Sequence, residues 1–84
     1  MYNEIRNKLK RFEGEIFYTV TGKLYTFEFI GENTIKPSRT NYAIHLKNFD
    51  KAIKINPTKS SQIRDVRGPS YVFGIITDER FKSI

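Results

Sequence analysis

The chain has 84 residues, no cysteine, one histidine, 38% apolar residues and a formal net charge of +6. Such a length predicts one domain around one core. Disulfide staples and thiolate metal sites are excluded, and His45 cannot build a zinc or iron site alone. No apolar run reaches the ~18–20 residues of a membrane span and no cleavable leader is visible, so the expectation is a cytoplasmic protein with no membrane partner.

Taken in order, residues 2–12 predict an amphipathic helix, because Tyr2, Ile5, Leu9 and Phe12 recur at spacings of three and four. Gly14 supplies its stop. Two β-rich runs follow, residues 15–21 and 23–30, around a Thr21-Gly22 turn. With a two-residue loop, Ile16, Tyr18 and Val20 share the inward face with Tyr25, Phe27 and Phe29. Phe17, Thr19, Leu24, Thr26 and Glu28 then face outward, with Phe17 as the better exposed aromatic. A third short strand is expected at residues 34–36, ending at Pro37, and a brief one at residues 42–44.

The second helix is expected over residues 46–55, with Leu46, Phe49 and Ile53 inward and Asn56-Pro57 ending it. A single turn capped by Ser61 and running through Asp65 comes next. Gly68-Pro69-Ser70 reads as a helix start with proline at the first position. The run 71–77 permits helix or strand, and the helix is preferred, with Val72, Ile75 and Ile76 inward. The fold class is therefore α+β. An N-terminal helix precedes an antiparallel hairpin extended to a small three- to four-stranded sheet, and two C-terminal helices pack on one face.

Charge is distributed unevenly. Residues 1–35 balance, as do residues 68–84, and the whole excess lies between Lys36 and Arg67. One-sign patches attract phosphate-rich partners, although spare lysines also serve solubility. Three features in this segment suit phosphate. Lys47, Lys51 and Lys54 recur at i, i+4 and i+7 on one helix face, which otherwise reads as a solvated surface. Arg64 and Arg67 precede the Gly68–Tyr71 helix start, whose N–H groups, Ser70 hydroxyl and Tyr71 ring add up to an anion site. Lys36 and Arg39 lie in a polar loop that gains meaning only if the fold brings it beside Arg64 and Arg67.

The expected nucleic-acid-binding set is thus Lys36, Arg39, Lys47, Lys51, Lys54, Arg64, Arg67, Ser70 and Tyr71. DNA and RNA remain equally open, with weak sequence preference. With ~4–6 phosphates contacted, log affinity falls with log salt at a slope of about −3 to −5. The alternatives are a protein-interaction module whose basic face meets an acidic partner, and a binder of a phosphorylated small ligand. Catalysis, metal and cofactors are not expected: no serine–histidine–acid set or phosphate loop is present, and the acid pairs Glu13/Glu15 and Asp78/Glu79 adjoin Arg11 and Arg80. Oligomeric state stays open.

Overall fold

Helix α1 (Asn3–Arg11) has Glu4 in its first turn and Lys8, Lys10 and Arg11 in its last, complementing the helix dipole at both ends. It belongs to a computed structural model that describes residues 2–83. Leu9 is fully buried, and Ile5 and Phe12 pack against the core. Two bonds clamp the end of the helix to the sheet. Gly14 N–H donates to Phe27 O at 3.0 Å, and the Glu13 carboxylate accepts Phe29 N–H at 2.7 Å. At the other side Arg6 donates to Glu32 O at 2.9 Å.

The hairpin departs from the expected alternation. Strands β1 (Phe17–Tyr18) and β2 (Leu24–Tyr25) pair antiparallel, with Phe17 opposite Tyr25 and Tyr18 opposite Leu24. A two-residue loop would instead set Tyr18 opposite Tyr25. The loop is one residue longer. Thr19 N–H donates to Lys23 O and Gly22 N–H to Thr19 O, both at 2.9 Å. Gly22, at φ +85°, is the one left-handed residue in this turn. A two-residue loop of the common hairpin type would demand positive φ at Thr21 too, which a β-branched side chain resists.

That slip exchanges the faces of β1. Phe17, expected outside, is fully buried beside Tyr25 and Phe27. Ile16, Tyr18 and Val20, expected inside, are 48%, 57% and 61% exposed.

The expected single extended sheet is instead two: past Thr26, strand β3 (Phe27–Gly31) opens a separate three-stranded sheet, pairing antiparallel with β4 (Thr34–Pro37), which pairs in turn with β5 (Ile44–His45). Phe27, Ile35, Pro37 and Ile44 point into the core. Strand β5 runs straight into α2 (Leu46–Ile55), where His45 Nδ1 accepts Lys47 N–H at 3.0 Å as the cap. Leu46, Phe49 and Ala52 are the buried residues of α2. Ile53, expected inward, lies at the rim at 41% exposure, because Ala52 takes the central position. Asn56 closes the helix at φ +54°, a conformation asparagine tolerates.

A 3-10 turn (Ser60–Ile63) follows, beginning one residue before the expected cap. Gln62 organises it through its carbonyl oxygen, which accepts Thr58 N–H at 2.7 Å. Helix α3 (Pro69–Ile76) resolves the helix-or-strand ambiguity, burying Val72, Ile75 and Ile76. It lies on β1 through Gly74, where a Cβ would stand 2.6 Å from Tyr18 O and 2.7 Å from the Tyr25 hydroxyl. A last turn, α4 (Glu79–Lys82), was not anticipated; it is capped by Asp78 and buries Phe81. No helix among the described residues is long and apolar enough to cross a membrane.

Candidate functional site

The basic segment contains two acids, Asp50 and Asp65, and both are engaged by the lysine stripe of α2. Lys54 pairs with Asp50 at 3.0 Å on the same helix, and Lys51 pairs with Asp65 at 2.7 Å across to the segment before α3. The Lys51 ammonium holds the Asp65 carboxyl below the usual carboxylate range, chiefly through that hydrogen bond. Lys36, Arg39, Lys47, Lys59, Arg64 and Arg67 have no carboxylate within ion-pair distance among the described residues. The stripe is therefore partly neutralised from within, while six cations keep their full charge.

Arg67 is the best positioned of them. Its guanidinium lies 4.4 Å from the centre of the Tyr42 ring, a cation–π contact of ~0.5–1 kcal/mol. Its backbone N–H donates to Asn48 Oδ1 at 3.1 Å, and Asn48 Nδ2 donates to His45 O at 3.0 Å. The first turn of α2 and the segment leading into α3 are thus locked together. Burial raises the Tyr42 phenol above its ordinary value, the neighbouring Tyr71 adds to this, and Arg67 opposes it. Tyr42 stays a neutral platform.

Lys51–Asp65 is a second tie across the same junction. Lys47 adjoins Asn48, Arg64 adjoins Asp65, and both are exposed. Lys47, Lys51, Arg64 and Arg67 therefore border one seam between α2 and the start of α3. The loop after β4 also ends there, since its Tyr42 ring lies under the Arg67 guanidinium. Arg39 leaves this loop in another direction and donates to Leu24 O at 3.4 Å on the hairpin.

The remaining expected residues separate from the seam or serve packing. β4 places Lys36 opposite Glu28, in a groove shared with Glu13 and Ser38. Lys54 sits at the far end of α2, engaged by Asp50. Tyr71 is half-buried, its ring edge-on to Tyr25 at 5.0 Å and its carbonyl accepting the Tyr25 hydroxyl at 2.7 Å. Ser70 is exposed. The start of α3 offers little to an anion: Pro69 has no N–H, and Tyr71 and Val72 both donate to Gly68 O at 3.0 Å. Of these four positions Ser70 alone keeps an uncommitted N–H.

Comparison with protein families, with curated proteins and with solved structures found no match for the chain. The site is therefore read from its own chemistry. Of the two acid pairs, Glu13, Glu15 and Asp78 are engaged in holding the fold. Arg80 donates to Asp78 Oδ1 at 2.9 Å, to Glu15 Oε1 at 3.2 Å and to Ile16 O at 2.7 Å, with its guanidinium 4.1 Å from the Phe17 ring centre. The Asp78 carboxyl is accordingly held low, mainly by its hydrogen bond from Arg80. No group of three or more His, Asp or Glu side chains among the described residues is placed to hold a metal.

Sequence reasoning missed the Tyr42 platform, the Arg80 hub and the outward apolar face of the hairpin. Apart from the adjacent Asp78–Arg80 link, the first two join residues far apart in the chain and leave no local signal. The third was signalled by Thr21, a poor residue for a two-residue loop.

Proposed function

We propose that the protein binds a polyanion, nucleic acid foremost, along the seam between α2 and the start of α3. Supporting this is the arrangement of Arg67: a guanidinium fixed on Tyr42, without a carboxylate, on a segment tied to α2 through Asn48 and through Lys51–Asp65. A cation held by stacking retains donors for a phosphate and loses less side-chain freedom on binding than a free lysine. Ser70 extends the surface at one side, while Arg39, turned to the hairpin, and Lys36 and Lys54 stand apart from it. The contacts are to backbone phosphates, so binding has weak sequence preference. In the cytoplasm the partner would be DNA or RNA.

An anisotropy titration with single-stranded and duplex DNA and RNA at two salt concentrations tests this. About four phosphate contacts predict a log–log salt slope of roughly −3 to −4. Absence of binding to every oligonucleotide at low salt, or an affinity indifferent to salt, defeats the reading.

A further inference from the structure

We propose that the outer face of the β1–β2 hairpin docks an acidic protein partner, on a surface separate from the cationic seam. Ile16 and Tyr18 lie on one side of β1, Leu24 faces Tyr18 directly across the hairpin, and Val20 extends the strip to the loop. All four are about half exposed or more. With Phe17 on the other side, the run from Ile16 to Val20 is apolar on both faces apart from Thr19. That is the composition of a strand covered on both sides. Helix α3 and the core cover one side; the other is open, and contiguous exposed apolar surface on a small protein marks an interaction site.

The border of this strip identifies its occupant. At the β2 side stand Lys23, next to Leu24, and Arg39, bonded to Leu24 O. Neither has a carboxylate partner among the described residues. At the Ile16 end the charges are already closed, because Arg80 takes up Glu15 and Asp78. The unsatisfied border is wholly cationic. A second copy would bring Lys23 and Arg39 against their own like charges. Three of the four side chains are aliphatic, so bases could stack on Tyr18 alone. A bilayer would have to cover the Glu15–Arg80 pair beside Ile16, at a desolvation cost. An apolar anchor flanked by Asp or Glu on another protein satisfies both strip and border.

The test pans a random-sequence peptide display library on the intact chain, with counter-selection on Leu24→Glu. Enriched peptides should carry apolar residues flanked by Asp or Glu. A synthesised example should bind at least tenfold more weakly to Leu24→Glu and to the milder Leu24→Ser, whose fold is checked by circular dichroism. Arg39→Glu should weaken the acidic peptide several-fold and gain affinity for its Lys-substituted counterpart. No enrichment, enrichment without acidic bias, or affinity unmoved by Leu24→Ser overturns the proposal. So does a concentration-dependent dimer that Leu24→Ser dissolves, or binding of anionic phospholipid vesicles through the same residues.

Discussion

The hairpin and the α2–α3 seam manage the same problem, exposure to water, in opposite ways. At the Ile16 end of the hairpin Arg80, Glu15 and Asp78 close their charges among themselves, and apolar side chains are left facing solvent. At the seam the apolar residues are inside and cations face outward, with Lys51 matched by Asp65. Backbone register decides the first outcome and side-chain pairing the second. A surface's character therefore follows from which of these controls it, rather than from local composition.

The sharpest way to break the comparison is at β1. Phe17→Ala should cost ~3–5 kcal/mol in urea unfolding, whereas Tyr18→Ala should cost under ~1 kcal/mol. Reversed magnitudes would mean a two-residue loop and the opposite face inward. Next, Gly74→Ala should cost ~1–3 kcal/mol, because its methyl would press on Tyr18 O and the Tyr25 hydroxyl. Hydrogen exchange should then show β1 and α3 loosened together.

Removing the hub with Arg80→Gln should cost about 1 kcal/mol, the guanidinium being 38% exposed and partly screened. Asp78 has its folded pKa depressed, so its contribution is present above the ordinary carboxylate range and is lost as pH falls through that lowered value. The gap in melting temperature between the native chain and Arg80→Gln should accordingly narrow in acid. At the seam, Arg67→Ala should weaken oligonucleotide binding about five- to tenfold and reduce the salt slope by about one. Smallest of all, Lys51→Ala should barely move the melting temperature, since its exposed pair with Asp65 adds little stability, while still lowering oligonucleotide affinity.

Much of the fold was legible because it is written locally. Helix α2 spans the expected residues, since leucine and phenylalanine spacing, the Asn56-Pro57 stop and the following polar loop agree. Pro69 likewise marked the start of α3. The inward face of β1 was misread because a single residue of loop length inverts a period-two pattern, and Gly22 fits either loop. Helix α4 is too short to show periodicity.

At the site, the charge excess, its location and the Asp50–Lys54 pair within one helix were readable, but the pairings between elements were not. Lys51–Asp65, Arg67–Tyr42 and Lys36 opposite Glu28 are pairings across separate elements. Tertiary packing determines these, whereas Lys54–Asp50 follows from helical spacing.

Tyr25 carries a consequence for alkaline solution. Its hydroxyl is bonded to the Tyr71 carbonyl and sits against Gly74, so one phenol ties β2 to the middle turn of α3. Burial, and then the neighbouring Asp78, hold its ionisation far above the ordinary tyrosine range. A folded-state pKa raised in this way leaves the contribution intact below the unfolded value and erodes it as pH climbs towards the folded one. In base, tyrosinate absorbance from Tyr25 should therefore emerge together with the detachment of α3, making this residue an optical reporter of the helix leaving the hairpin.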